Sequence, residues 1–138
     1  MNTPKVIIDT NIIIDVFAKR EPFYESSRKI LQFCEDGRIQ GFISASTATD
    51  IYYLIRKYAG HDVAEDALGH VLAITTVLDV TGEDVITAFG RHSSDFEDCL
   101  LGVCAVKAGI ETIITRDKKG FNSCGIPYTS ATDYLSEQ

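Results

Sequence analysis

Two short runs of β-branched residues, each followed almost at once by an aspartate, constrain this chain more than any other feature. The first is Val6-Ile7-Ile8 leading into Asp9; the second is Thr112-Ile113-Ile114-Thr115 leading into Arg116-Asp117. Neither run alternates with polar residues, so each reads as a strand buried on both faces of a parallel sheet. The acids come after the apolar residues and therefore point out of the core. In open α/β sheets ligands sit at the carboxyl ends of strands, and two acids at such ends in one parallel sheet fall on the same edge.

The rest of the chain alternates in the same sense. Thr10 to Ala18 carries Ile12, Ile13, Val16 and Phe17 at helical spacing, with Thr10 or Asn11 placed to cap the first turn. Pro22 suits the first turn of a second helix that ends at Gly37. A short strand, Gly41 to Ser44, precedes a third helix capped by Ser46 or Thr47, with a core stripe of Thr47, Ile51, Leu54, Ile55 and Tyr58 and with Asp50 at its margin. Asp62 to Ile74 forms a fourth helix with Val63, Ala67, Leu68, Val71 and Leu72 on its apolar side. Thr75 to Val80 is a strand, Gly82 to Phe89 a small helix, and Ser93, Ser94 and Asp95 offer caps for a long helix running to Ala108. Ile126 to Thr129 reads as an edge strand before a C-terminal helical turn. Strands alternating with helices predict βαβ units, hence a three-layer α/β/α domain over residues 1–138 around a central, mostly parallel sheet of about five strands.

The 138 residues suffice for one core and are too few for two. No apolar run approaches a membrane span, and the first residues enter the strand without a signal-like apolar segment, so the protein is expected in the cytoplasm. The four cysteines form no CxxC pair and have no histidine at ligand spacing, which argues against zinc. The three histidines read as surface residues. A net charge of −7 opposes nucleic-acid binding as a whole. Basic residues nevertheless gather at Lys19-Arg20, Arg56-Lys57, Arg91-His92 and around Arg116, Lys118 and Lys119, each of which also reads as a solvated face. Tyr52, Tyr53 and Phe23 are candidates either for core packing or for a dimer or partner surface.

The helix from Phe96 adds a third acid. Cys99 to Val106 contains no polar side chain, so that helix is expected to be buried nearly all round. Asp98 lies in its first turn on the side of Leu101, Gly102 and Ala105, and should point into a crevice; the alternative is that it only complements the helix dipole. Asp95, one turn earlier, either caps the helix or joins the pocket. Carboxylates held together repel unless a cation neutralises them. Oxygen donors without Cys or His suit a hard ion, Mg²⁺ or Mn²⁺. Such a centre suits phosphodiester hydrolysis, and Arg116, Lys118 and Lys119 beside Asp117 could hold the phosphate backbone.

Three segments together, Ile7-Ile8-Asp9-Thr10-Asn11, Ser94-Asp95-Phe96-Glu97-Asp98 and Ile113-Ile114-Thr115-Arg116-Asp117, make the chain similar to the PIN-domain ribonucleases, the family that includes the VapC-type toxins of toxin-antitoxin pairs. The resemblance spans the chain in length and element order. It implies an acidic pocket holding Mg²⁺ or Mn²⁺ and hydrolysis of RNA by metal-activated water. Matched by position, the catalytic acids would be Asp9, Asp50, Asp98 and Asp117, with Asp9, Asp98 and Asp117 on the metal. Asn11, Thr115 and Asp95 would support them. Many members carry glutamate where this chain has Asp50, whose shorter side chain suits a water-mediated contact. The resemblance also implies an antitoxin partner and a homodimer.

Two other readings compete. Phosphatases of the haloacid dehalogenase type also open on an aspartate at a strand end, but they require a second acid two residues later, where this chain has Asn11. A PIN-like domain that has lost catalysis would bind RNA or protein only; retention of four carboxylates speaks against it.

Overall fold

A computed structural model of the chain describes residues 3–117 and 126–138. Among these, five strands, β1 (Lys5–Ile8), β2 (Gln40–Ser44), β3 (Thr75–Leu78), β4 (Thr112–Ile114) and β5 (Tyr128–Thr129), form one sheet. The strand order is β3-β2-β1-β4-β5, and every pairing is parallel. The helices are α1 (Thr10–Phe17), α2 (Tyr24–Glu35), α3 (Ala45–Ala59), α4 (His61–Ile74), α5 (Gly82–Gly90), α6 (Phe96–Lys107) and α7 (Ala131–Ser136).

The unbroken apolar runs are explained by coverage of both sheet faces. Val6, Ile8, Ile43 and Ile114 point to one side, against α1, α2, α3, α4 and α7. Ile7, Phe42 and Ile113 point to the other, against α5 and α6. With successive side chains alternating across the sheet, a polar residue at any of these positions would lie in one core or the other. The α/β/α layering is therefore as the sequence predicts.

Several local expectations need correction. Asp9, not Thr10 or Asn11, caps α1, accepting from the Thr10 amide at 2.8 Å. Ser44, not Ser46 or Thr47, caps α3 through the Thr47 amide at 3.1 Å. In both places the strand passes straight into the helix, so the last extended residue is the cap. Pro22 precedes α2 in a cis peptide with Glu21. On α3 only Thr47, Ile51 and Ile55 are buried, whereas Leu54 and Tyr58 are exposed. On α4 the buried stripe is Ala64, Ala67 and Val71, with Val63 and Leu72 exposed. Ala64, Ala67 and Val71 join the core cluster that α1, α2 and α3 also build. Val106 is exposed at the end of the otherwise buried run on α6.

Helix α5 begins with a capping box in which Thr81 and Asp84 exchange side-chain to backbone hydrogen bonds. The buried Asp84 carboxylate also pairs with Lys107 of α6, joining the two helices on that face. Cys34, Cys99 and Cys104 are buried free thiols, and burial pushes the Cys34 thiol up to about 12. Cys124, Lys118 and Lys119 lie outside the described residues. Among the described residues no helix is long and apolar enough to cross a membrane. The chain runs from β1 outward to β3 and then returns to place β4 on the opposite side of β1. The order reverses there, so a crevice opens between the carboxyl ends of β1 and β4.

Candidate active site

Asp9 leaves β1 at that crevice and is 8% exposed. Its Oδ1 accepts from the Thr10 amide, while its Oδ2 accepts from the Thr115 hydroxyl at 2.7 Å and from Asn11 Nδ2 at 3.1 Å. Thr115 is fully buried, and its Oγ1 also accepts from the Asp117 amide at 2.9 Å and from Asn11 Nδ2 at 3.3 Å. Asn11 Oδ1 accepts from the Arg116 amide at 3.2 Å. Asn11 and Thr115 thus bridge the two strand ends and fix Asp9 relative to Asp117. Burial raises the pKa of Asp9; the hydrogen bonds from Thr115 and Thr10 oppose that rise, and the charges of Asp117 and Asp95 add to it.

The facing wall is the first turn of α6. Asp95 caps it, accepting from the Asp98 amide at 3.0 Å, and Asp98 is buried as expected from its side of the helix. One carboxylate oxygen from each of Asp95, Asp98 and Asp117 lies within 4.8 Å of the others. That is the width of one divalent ion's oxygen shell, about 4.2 Å across for Mg²⁺ and about 5 Å for Ca²⁺. The Asp98 carboxyl is pushed up to about 9, first by burial, then by Asp9, by its hydrogen bond to Asp117 and by the charges of Asp95 and Asp117. Without a cation, such a group holds a proton at neutral pH. An all-oxygen donor set under this repulsion fits a hard divalent ion.

The cleft measures about 670 Å³ and is also lined by Asp50 and Tyr53 from α3 and by Glu97 from α6. Asp9, Asp50, Asp98 and Asp117 therefore do meet in one place. Asp95 comes closer to Asp98 and Asp117 than a purely capping role requires. Sequence reasoning missed Glu97. It shares a hydrogen bond with Asp50, which with burial and the charges of Asp50, Asp9 and Asp95 raises its carboxyl to about 7. The signal was present in Asp95-Phe96-Glu97-Asp98, where three acids crowd one helical turn and repel one another unless a cation or a shared proton relieves them.

Of the expected phosphate-binding residues, Lys118 and Lys119 lie outside the described residues, and Arg116 is placed otherwise than expected. Arg116 turns away from the cleft, its guanidinium bidentate on Asp15 at 2.8 and 2.9 Å and its carbon 4.2 Å from the Phe23 ring centroid. Among the described residues, the cations that line the cleft are Arg20, after α1, and Lys57, on α3. A second cleft of about 670 Å³ lies at the opposite edge of the sheet, where among the described residues Glu111 is the one carboxylate side chain in the lining. The acidic chemistry belongs to the carboxyl edge.

A family model of the PIN domain matches residues 5–119, which takes in the described site and both strands that form it. The chain belongs to the PIN-domain family. It is 25% identical over 127 residues to ribonuclease VapC1 of Aquifex aeolicus, covering 88% of each chain. Among solved structures it is similar to Mycobacterium tuberculosis VapC20, described as a sarcin-ricin loop cleaving toxin, with a TM-score of 0.71, 16% identity and coverage of 88% of this chain and 95% of that one. It is also similar to VapBC2 of Rickettsia felis bound to a DNA fragment from its promoter, with a TM-score of 0.71, 15% identity and coverage of 91% and 98%. At such identities the structural likeness extends to the fold. Within this PIN domain the acids come from the residue after β1, from α3, from the cap and first turn of α6 and from the segment after β4.

Proposed function

We propose that this PIN domain is a divalent-metal-dependent endoribonuclease that hydrolyses RNA phosphodiester bonds. The observation that carries the reading is the convergence of Asp95, Asp98 and Asp117 within 4.8 Å, beside a buried Asp9 already held by three hydrogen bonds. A bound Mg²⁺ or Mn²⁺ would supply Lewis-acid stabilisation of phosphoryl charge and lower the pKa of water. Asp9, Asp98 and Asp117 would hold it, with Asp95 beside them, and Asn11 and Thr115 would keep Asp9 and Asp117 in place. Asp50, hydrogen-bonded to Glu97, is a catalytic acid of the cleft that would act through water. Arg20 and Lys57 would offset substrate phosphates at the cleft wall.

The same reading makes the protein the toxin of a toxin-antitoxin pair acting in the cytoplasm, with an antitoxin and a second copy as protein partners. Support comes from the ribonuclease relative and from the VapBC neighbour. The test is incubation of the purified protein with mixed RNA oligonucleotides and Mg²⁺ or Mn²⁺, beside EDTA and Asp9→Asn controls. Cleavage that ceases in both controls is expected; cleavage indifferent to both overturns the assignment. Release of inorganic phosphate from small phosphate monoesters would favour the phosphatase reading instead.

A further inference from the structure

We propose that Tyr53 is a stacking platform for an unpaired nucleobase, with Lys57 and Arg20 holding the adjoining phosphates. This deepens the ribonuclease reading and rests on it. Asp50, Tyr53, Leu54 and Lys57 occupy positions i, i+3, i+4 and i+7 of α3, which puts them on one helical face, and all four line the acidic cleft. From Asp50 to Lys57 the helix rises about 10 Å, the span of a short nucleotide segment and not of a single phosphate.

Tyr53 is 61% exposed, more than the other tyrosines of α3, and Leu54 beside it extends the apolar surface. Its ring is backed on one side. Tyr52 packs edge-on against it, with centroids 5.1 Å apart at 86°, and the Tyr52 hydroxyl is hydrogen-bonded to His61 Nδ1 at 2.7 Å. A ring already backed by a neighbour loses less freedom when a base stacks on its open side than an unsupported one does. Arg20 is placed by its backbone, donating to the Asp15 carbonyl at 3.0 Å and accepting from the Phe23 amide at 3.0 Å. Among the described residues neither Arg20 nor Lys57 makes an ion pair.

Charge complementarity selects the occupant. An apolar protein surface laid on Tyr53 would strip water from Lys57 and Asp50 without replacing it. A nucleotide strand satisfies each group in turn: base on the ring, phosphate against the cations, backbone directed to the carboxylates. Stacking on an exposed ring requires a base free of its duplex partner, so the ligand class is single-stranded RNA or an open loop.

The experiment measures binding of a single-stranded oligoribonucleotide carrying 2-aminopurine, in Ca²⁺, with strand integrity checked on a denaturing gel. Quenching of the base on binding is expected. Tyr53→Ala should weaken Kd roughly 5- to 100-fold, the range for loss of one stacking partner, while Tyr53→Phe stays near wild type. Lys57→Ala should lower the salt dependence by about one phosphate contact. Annealing the complement should weaken binding as much as Tyr53→Ala does. Mn²⁺ affinity of Tyr53→Ala, measured without RNA, should match wild type, which separates the platform from damage to the acidic site. Equal RNA affinity in Tyr53→Ala, or duplex binding as tight as single-strand binding, overturns the proposal. An oligomer that dissociates in Tyr53→Ala while RNA affinity is kept also overturns it, in favour of a protein contact. Wild type that binds the strand without cutting it would overturn the ribonuclease reading and leave the platform standing.

Discussion

Asp15 and Arg116 are 101 residues apart and form a bidentate ion pair, with the carboxylate fully buried beneath the guanidinium. Ser27 Oγ donates to the same carboxylate at 3.4 Å, and the Phe23 ring closes the other side of the arginine. Arg116 stands between Thr115 and Asp117, so this pair ties α1 and α2 to the segment that carries one acid of the site.

Breaking that pair should cost both stability and site geometry. Removing one partner of a buried pair costs about 3–5 kcal/mol, so Asp15→Asn should lower the melting temperature by roughly 10–17 °C. Arg116→Lys should not restore it, because an ammonium cannot make the two parallel bonds. Calorimetry on the variants checks this, and a wild-type melting temperature for Asp15→Asn would contradict it.

Thr115→Val tests the bridge between the strand ends. The substitution keeps the shape but removes the hydroxyl that donates to Asp9 and accepts from the Asp117 amide. Mn²⁺ affinity and RNA cleavage should fall roughly 10- to 100-fold, as for other partners of metal-binding side chains. Asp9 would also lose the hydrogen bond that most opposes its raised pKa, so the pH at which Mn²⁺ begins to bind should move upward. Titration by calorimetry at several pH values reads both effects.

The metal-free protein should lose stability as pH rises. An unfolded aspartate titrates near 3.9, whereas Asp98 in the fold titrates at about 9 and Asp9 above its ordinary value. Between those limits the native state binds more protons than the unfolded chain, so the stability falls with increasing pH. Asp84 has the opposite sign: its bond from Lys107 lowers its pKa, and that contribution is present above the unfolded value and lost as pH falls through the folded one. Melting curves in EDTA should therefore show a maximum in the mildly acidic range. Asp98→Asn should flatten the alkaline decline and raise the melting temperature at pH 8, while reducing Mn²⁺ affinity at least ~100-fold, more than loss of a supporting partner does. A pH-independent melting temperature in EDTA would count against the carboxylate cluster.

Gly41 offers a test of the core beneath the site. A Cβ there would lie 2.5 Å from Cys34 Sγ and 3.2 Å from Ile8 Cδ1. Gly41→Ala should destabilise by about 1–3 kcal/mol, the usual cost of overpacking. Because the nearest obstruction is the sulfur, Gly41→Ala combined with Cys34→Ala should cost less than the sum of the two single changes. Denaturant unfolding of the four proteins measures that coupling.

Much of the fold was legible because burial on both faces leaves an unmistakable trace: Val6-Ile7-Ile8 and Thr112-Ile113-Ile114 have no polar position to spare. The helix faces were harder. Leu54, Tyr58, Val63 and Leu72 satisfy a helical period as well as the residues that are buried, and periodicity does not say how far a neighbouring helix extends. Asp9, Asp98 and Asp117 stand out in the sequence because acids beside strand ends or in the first turn of an apolar helix have few local explanations, whereas Asp50 was singled out only through the resemblance to the PIN-domain family. Glu97 escaped because it sits on the exposed side of the turn, where only its reach across the cleft to Asp50 distinguishes it.

The sequence by itself determined the α/β architecture and the edge of the sheet that carries the acids, since both follow from local patterns of burial along the chain. Only the tertiary structure decided the cations. Arg116 is adjacent to Asp117 in sequence, yet a buried carboxylate 101 positions away takes its guanidinium. Arg20 and Lys57, distant in sequence from Asp98 and Asp117, line the cleft. Which basic side chains face the cleft is set by long-range packing and pairing that no local pattern encodes.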